Sequence, residues 1–255
     1  MKLTFLGTGT SQGIPMIGCG CRTCCSADPR DKRLRTSALL EVSGVTLAID
    51  AGPDFRAQML RESVKRLDAI LLTHEHTDHI GGLDDVRAFN YFMRRPMPLY
   101  AEERVLRHVQ AVFAYAFDEN KYPGSPEIEL VAICADRPFE VKGVRVTPVR
   151  AMHARLPVVG FRVGGMAYIT DANFVSRESK RLLAGCEVLV VNALQREPHP
   201  SHFTLDAALR LIAELKPAAA YLTHASHRLG RYADLQPSLP GGVQLAYDGL
   251  SVDLV

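Results

Sequence analysis

Short apolar runs recur along the chain, each bounded by Gly, Asp, Pro or charged residues. Such runs predict strands, here over residues 3–6, 45–49, 69–72, 144–149, 167–170, 188–191, 218–222 and 243–247. Apolar residues at helical spacing predict helices within residues 83–89, 105–113 and 205–215, and Pro217 ends the last of these. Residues 247–250 (YDGL) predict a tight hairpin turn.

Strands in groups with helices between them are typical of sheets covered by helices, so the pattern predicts an α/β fold. No linker or low-complexity stretch divides the chain, and residues 1–255 are expected to form a single domain. An apolar run followed by Thr-His occurs at residues 71–74 and again at 221–224, which suggests two similar halves or a coincidence. The segment 91–133 is the least regular, and it is expected to cover substrate or to be an ordinary surface loop.

Composition restricts the classes of partner. The chain has 255 residues, 47% of them hydrophobic, which is enough for a sizeable core. Its 30 basic and 28 acidic residues give a net charge of +2, too balanced to indicate a nucleic-acid partner. The start, MKLTFLGTGTSQG, contains neither a signal peptide nor a membrane span. A cytoplasmic protein without a membrane partner is expected, and a homodimer is left open.

Residues 73–79, THEHTDH, gather metal-binding side chains at the end of a predicted strand. Residues two apart in an extended segment point the same way, so His74 and His76 can reach one metal ion. Asp78 and His79, past a turn, can reach a neighbouring ion. Ligand-capable residues also follow other predicted strands, namely His153, Asp171 and His224. Their recurrence at strand ends favours a two-metal centre over scattered surface histidines.

Six cysteines without a secretion signal argue against a disulfide framework. Cys134 and Cys186 stand alone in apolar surroundings and are predicted to be small buried hydrophobic residues. The other four are Cys19, Cys21, Cys24 and Cys25. The spacing C-x-C-x2-C suits a tetrahedral zinc with a fourth ligand from elsewhere, although reduced or reactive thiols fit the spacing equally well.

The motif THEHTDH, with His153, Asp171 and His224, resembles the HxHxDH signature of the metallo-β-lactamase superfamily. The resemblance implies an αββα sandwich with a two-metal site at the edge of its sheets. It assigns the first metal to His74, His76 and His153, and the second metal to Asp78, His79 and His224, with Asp171 bridging both. An aspartate at 171 argues against a lactamase proper, and the departure from HxExD argues against the oxygen chemistry of flavodiiron members.

The cysteine triad, followed by a second histidine in THASH, resembles the PhnP-type phosphodiesterases, which are similar to tRNase Z without its long arm. This resemblance implies a structural zinc on Cys19, Cys21, Cys24 and His227, with Cys25 as the alternative fourth ligand. It also places His202 beside the substrate phosphate. His199, three residues earlier, lies outside the match.

The family resemblance implies hydrolysis of a small phosphodiester, expected to be cyclic, by hydroxide bound to two divalent metals, Mn or Zn. Asp78 is expected to orient that hydroxide, and His202 to contact the phosphoryl group or protonate the leaving alkoxide. Two alternatives remain at this point. One is another ester hydrolase on the same scaffold, a thioesterase or a small ribonuclease, and the other is a non-hydrolytic, PqqB-like accessory protein that binds metal.

Overall fold

Two β-sheets dominate the computed structural model, which describes residues 1–254. The strands in this range are β1 (Lys2–Gly7), β2 (Ser37–Val42), β3 (Val45–Ile49), β4 (Ala69–Leu71), β5 (Met97–Ala101), β6 (Ile128–Ala132), β7 (Phe139–Val141), β8 (Val144–His153), β9 (Leu156–Val163), β10 (Met166–Ile169), β11 (Phe174–Val175), β12 (Val188–Asn192), β13 (Ala219–Thr223), β14 (Val243–Leu245) and β15 (Ser251–Asp253). The α-helices are α1 (Phe55–Arg61), α2 (Thr77–Ile80), α3 (Arg87–Met93), α4 (Glu103–Val112), α5 (Arg177–Leu183), α6 (Leu205–Leu215) and α7 (Tyr232–Leu235). Short 3-10 helices span Pro29–Asp31, Leu83–Val86, Ala114–Ala116 and Gln236–Ser238.

The strand order repeats between the two sheets. The first sheet runs β15-β1-β2-β3-β4-β5-β6, and the second runs β11-β8-β9-β10-β12-β13-β14, with β7 also beside β8. In the first sheet β1 to β3 pair antiparallel and β3 to β6 pair parallel. In the second, β8 to β10 pair antiparallel, and β10, β12, β13 and β14 pair parallel. Strand β3 is therefore equivalent to β10, and β4 is equivalent to β12.

The sheets pack face to face because alternate residues of each strand point to opposite sides. Leu47 of β3 and Tyr168 of β10 belong to one buried cluster that contains residues of both sheets. Ile169, next to Tyr168, packs instead with residues of helices α5 and α6. Ala48, next to Leu47, packs with residues of α1, α3 and α4. The layers are thus helix, sheet, sheet and helix, which confirms the predicted αββα sandwich.

Each predicted strand and helix has a counterpart in the structure. The predicted helix at 83–89 is a 3-10 turn followed by α3, and the one at 205–215 is α6. The pattern missed β2, β5, β6, β7, β9, β11 and β15. Strand β9 shows why: Gly160 and Arg162 interrupt its apolar residues, yet it pairs with both β8 and β10.

The structure corrects four sequence-based expectations. The segment 91–133 is more regular than predicted, since it contains β5, α4 and β6. Residues 247–250 do form a turn, with the Leu250 N–H bonded to the Tyr247 carbonyl at 3.1 Å. It is not a hairpin, because β14 before it pairs with β13 and β15 after it pairs with β1 of the other sheet. Cys134 is exposed, whereas Cys186 is buried as predicted.

The fourth correction concerns the repeated motif, an apolar run followed by Thr-His, at residues 71–74 and 221–224. Thr73-His74 follows β4. Thr223 is the last residue of β13 and His224 follows it, but β13 is the equivalent of β5 rather than of β4. The two halves do share a strand order, but the two copies of the Thr-His motif do not lie on equivalent strands. Within residues 1–254, none of the helices combines the length and apolar character needed to cross a bilayer.

Candidate metal centre

The predicted ligands converge where strands of both sheets end. His74 lies just after β4, His153 is the last residue of β8, Asp171 follows β10 and His224 follows β13. His74, His153, Asp171 and His224 are buried, whereas His76 is exposed. Ligands from both sheets therefore meet at one edge of the sandwich, as parallel strands ending side by side allow.

A buried hydrogen-bond network holds His74 and His79. Asp50 lies directly after β3, and its Oδ2 is 2.7 Å from His79 Nδ1. Asp50 also accepts bonds from the Thr73 N–H at 2.8 Å and the Thr73 hydroxyl at 2.9 Å. The same hydroxyl is 2.9 Å from His74 Nδ1. The pattern places a proton on Nδ1 of both rings, so that in the neutral form, which a metal ligand adopts, each Nε2 offers its lone pair.

His153 is anchored in the same way. Its Nδ1 is 2.8 Å from the carbonyl oxygen of Ser201, and a carbonyl only accepts, so this ring also carries its proton on Nδ1. The His74 Nε2 and the His76 Nδ1 lie 3.0 Å apart. The ring centroids of His76 and His153 are 5.1 Å apart. These three imidazoles, the predicted first ligand set, therefore sit close together, although their nitrogens are less tightly grouped than those of the second set.

The second predicted set forms a tight cluster. One ligand atom from each of Asp78, His79, Asp171 and His224 lies within 4.8 Å of the others. The His79 Nε2 is 3.3 Å from Asp78 Oδ2 and 3.2 Å from Asp171 Oδ2, and the His224 Nε2 is 3.0 Å from Asp171 Oδ1. Both Nε2 atoms are buried and make no well-aligned hydrogen bond. Buried nitrogens without a bonding partner, facing carboxylates, fit the donor set of a divalent cation.

The charges in this cluster are mutually dependent. Burial by itself lowers the pKa of His224, but the Asp171 carboxylate outweighs it and raises the pKa to about 9. Burial likewise opposes protonation of His79, and the charges of Asp171, Asp50 and Asp78 raise its pKa well above the usual value. Burial opposes ionisation of Asp171, yet His224 and His79 hold its pKa well below the ordinary range. The carboxylates thus require positive charge beside them, which metal cations supply.

His202 lies between this cluster and a short polar loop. Its Nε2 is 3.1 Å from Asp171 Oδ1, and its Nδ1 is 3.0 Å from the Ser201 hydroxyl. Burial lowers the pKa of His202 to about 4, so the ring is neutral at pH 7. His153, Asp171 and His202 offer atoms within 4.8 Å of one another. His199 is also nearby, with its Nδ1 3.2 Å from the His202 Nδ1.

The backbone at the site is tightly constrained. Asp50, Asp171 and His224 all have positive φ, at 63°, 54° and 54°. This conformation is unfavourable for residues with a side chain, and strained residues of this kind cluster at functional sites. Gly52 has no room for a side chain, because a Cβ there would lie 2.0 Å from the Asp78 carbonyl oxygen. The helical turn α2, which carries Asp78, therefore packs directly against the segment after β3.

The structure brings a second group together at the N-terminal loop. Ligand atoms of Cys19, Cys21, Cys24 and His227 lie within 4.8 Å of one another. The His227 Nδ1 is 3.2 Å from Cys19 Sγ and 3.3 Å from Cys21 Sγ. The Cys24 N–H and then the His227 imidazole lower the pKa of Cys21 to about 6, while burial raises the pKa of Cys24 to about 11. Cys25 is exposed and lies outside the group.

Sequence reasoning missed Asp50, Thr73 and Ser201, which hold the ligand histidines in place. Asp50 did carry a signal, since it follows the predicted strand at 45–49 as Asp171 follows the one at 167–170. The Ser201 carbonyl carries none, because any residue supplies a backbone oxygen.

Comparison with known proteins agrees with this geometry. A family model described as the beta-lactamase superfamily domain matches residues 46–225. The chain is 40% identical to the protein in a crystal structure titled as a new diphosphatase from the PhnP family, with a TM-score of 0.93. The match covers 100% of this chain and 98% of that one.

Curated relatives match this chain over only part of their length. An octanoyltransferase of Porphyromonas gingivalis is 41% identical over 252 residues, which are 98% of this chain and 51% of that protein. A ribonuclease Z of Bacillus thuringiensis is 28% identical over 168 residues, which are 64% of this chain and 49% of that protein. The chain thus spans about half the length of these curated relatives.

Proposed function

The chain belongs to the metallo-β-lactamase superfamily as a PhnP-type member, and on that premise we propose that it is a metal-dependent phosphodiesterase. Its substrate is a small phosphodiester, with a cyclic one as the first choice. In this proposal His74, His76 and His153 would hold the first metal. Asp78, His79 and His224 would hold the second metal, and Asp171 would contribute to both positions.

One observation carries the proposal. The rings of His74, His79 and His153 each have Nδ1 bonded to a protein oxygen, so each Nε2 lone pair is free to face the site. Ligation through Nε2 needs this tautomer, and partners on the far side of a ligating imidazole are the usual means of holding it. Histidines scattered over a surface are not expected to share one tautomer.

The donor set limits the metal. Imidazole nitrogens mixed with carboxylate oxygens suit Zn²⁺ and Mn²⁺, and both are proposed. When bound, a pair of such ions polarises a phosphoryl oxygen and makes water a nucleophile near neutral pH. The chain's own contribution is to fix the ligands and to keep Asp78 ionised. Burial opposes that ionisation, but in the metal-free chain the positive charge of His79 holds the pKa of Asp78 well below its ordinary value, and a bound cation would take over that role.

His202 is proposed to act on the phosphoryl group as a neutral hydrogen-bond donor. The Ser201 hydroxyl can donate to its Nδ1, which leaves the proton on Nε2, the atom that faces Asp171. This tautomer delivers an N–H towards the site without a charged ring. Protonation of a leaving alkoxide by an imidazolium is less well supported, because burial lowers the pKa of His202 to about 4.

A third metal, a structural zinc, is proposed on Cys19, Cys21, Cys24 and His227. Three thiolates and one imidazole complete a tetrahedron with no open position, as in structural zinc sites. The site would connect the N-terminal loop to the segment after His224. A backbone pairing supports the same connection, since the Thr10 N–H bonds to the Ala225 carbonyl at 3.0 Å.

Hydrolysis of a diphosphate linkage is the second candidate, favoured by the 40% identity to a PhnP-family diphosphatase over nearly the whole of both chains. A small ribonuclease rests on a weaker match that omits about a third of this chain. Acyl transfer is not proposed, because about half of the octanoyltransferase lies outside its match with this chain. A thioesterase or a PqqB-like accessory role is less well supported, because neither accounts for the contacts of His202 with Ser201 and Asp171.

The test is a substrate panel on one preparation of defined metal content. It contains bis-p-nitrophenyl phosphate, ribose and nucleoside cyclic phosphates, a dinucleoside diphosphate, a short RNA and a thioester. Turnover of the first two classes, lost on chelation and restored by Mn²⁺ or Zn²⁺, supports the proposal. Preference for the diphosphate favours the second candidate, and turnover of the thioester alone refutes both.

A further inference from the structure

The N-terminal end of helix α4 lies against both loops that carry the first metal position. Arg104, in the first turn of α4, donates to the carboxylate of Glu75, the residue between His74 and His76. Its other terminal nitrogen donates to the Pro157 carbonyl oxygen at 2.8 Å. Pro157 lies at the start of β9, four residues beyond His153.

A second ion pair holds the same end of the helix. Arg150, on β8, makes a bidentate contact with Glu102, the residue before α4, at 2.6 and 2.5 Å. Helix α4 packs on the first sheet, whereas β8 and β9 belong to the second sheet. Its N-terminal end is therefore connected to the ligand loop of one sheet and to the ligand hairpin of the other.

This arrangement matters because the first metal position draws on both loops. His74 and His76 come from the loop after β4, and His153 comes from the hairpin of β8 and β9. One direct backbone bond joins the two, from the Val159 N–H to the Thr73 carbonyl at 3.0 Å. We infer that Arg104 is a positioning residue that fixes the separation of His153 from His74 and His76, and so sets the metal affinity of the first position. This inference rests on the proposed ligand assignment.

A purely electrostatic role for Arg104 has to be separated from positioning. Glu75 has a buried carboxylate oxygen, Oε2, with no hydrogen-bond partner, so its charge depends on Arg104. Removing Arg104 alone would leave that charge uncompensated. The double variant Glu75→Gln/Arg104→Met removes both charges and leaves only the loss of the bridge between the loops.

The experiment measures stepwise Zn²⁺ affinity by competition with a chromophoric chelator, at constant occupancy of the cysteine site. His153→Ala and His224→Ala identify the steps that belong to the first and second positions. Arg104→Met and the double variant are both expected to weaken the first step by about 10–100-fold and to leave the second nearly unchanged. Arg107→Met is the matched control, since Arg107 lies on the same helix in an exposed pair with Glu103.

Each other outcome overturns the inference. An unchanged first step in Arg104→Met shows that the bridge is not needed, and recovery in the double variant shows that Arg104 only neutralises Glu75. An equal loss at both steps indicates general damage to the fold. If the wild-type chain lacks two such steps, the ligand assignment itself fails, which is a different result from a defect confined to the variants.

Discussion

Replacing Asp50 by asparagine tests how the buried acid selects the tautomer of its partner histidine. Asp50 uses Oδ1 for the Thr73 N–H and Oδ2 for both the Thr73 hydroxyl and the His79 Nδ1–H. Asparagine is nearly the same size but has only one oxygen. If that oxygen stays on the Thr73 N–H, the amide NH₂ faces His79. If the amide flips, the NH₂ opposes the Thr73 N–H, and two donors meet.

The expected loss of metal affinity follows from the position of the proton on His79, which must lie on Nδ1 for the ring to bind metal through Nε2. Facing an NH₂ group, its Nδ1 becomes an acceptor and its proton moves to Nε2, the atom 3.2 Å from Asp171. An Nε2–H cannot ligate a metal, so binding must first move the proton back and leave two donors opposed. Loss of a charge-assisted bond costs about 1.5–3 kcal/mol, and changes to partners of ligand histidines typically weaken metal binding by about 10–100-fold. We expect a loss in that range at the second metal position.

The assay is Zn²⁺ competition, combined with ¹⁵N NMR of the histidine rings in the metal-free protein at a pH high enough for His79 to be neutral, where the spectrum reports the tautomer directly. Asp248→Asn is the matched control. The Asp248 side chain is only 8% exposed and accepts bonds from the Thr8 N–H and hydroxyl and from the Leu34 N–H, but its partners are not predicted ligands. Zn²⁺ affinity of Asp50→Asn within about threefold of wild type, or a retained Nδ1–H on His79, would falsify the tautomer argument.

His202→Ala should lower kcat with both catalytic metals retained, because its Nε2 approaches Asp171 from outside the proposed ligand set; loss of metal with kcat per metal unchanged would make it a ligand. Cys21→Ser and His227→Ala should each lose one equivalent of zinc by elemental analysis, while Cys25→Ser keeps it, since Cys25 is outside the group; the reverse result removes the proposed site. Asp68→Asn should cost about 2 kcal/mol in urea unfolding at pH 7, since the buried Asp68 carboxylate contacts three basic side chains. Burial alone would raise the pKa of Asp68, but Lys142 and the other donors lower it, so this stability is present above pH ~4 and disappears in more acid solution. An Asp68→Asn deficit that is the same at pH 7 and pH 3 would contradict this assignment.

Sequence reasoning predicted the layers, and it named side chains that the structure brings together, because both leave local signals. The buried parallel strands read as apolar runs, and a ligand must be a His, Asp or Cys whatever its surroundings. Strands such as β6 escaped notice because they are only partly buried and their sequence, IELVA, includes a charged residue. The bridge through Arg104 escaped for another reason, since it joins residues far apart in sequence and one of its acceptors is a backbone oxygen.

The neutral state of His202 could not be read from the sequence either. An imidazole beside a phosphate suggests a general acid, and it is burial that makes the uncharged donor the better assignment, because burial outweighs the Asp171 carboxylate, which favours the charged ring. Protonation state depends on surroundings that fold together from separate segments, so a motif reports the residue type and not its charge.

The repeated strand order is the arrangement that duplication of a half-length unit would give. Asp50 follows β3 and Asp171 follows β10, the equivalent strand, and both residues have the same left-handed backbone conformation. Two identical copies would place two identical aspartates at the shared edge. In this chain one of them faces the proposed metal pair, whereas the other holds His79. The asymmetry of the centre therefore lies in what the two aspartates contact and not in where the fold places them.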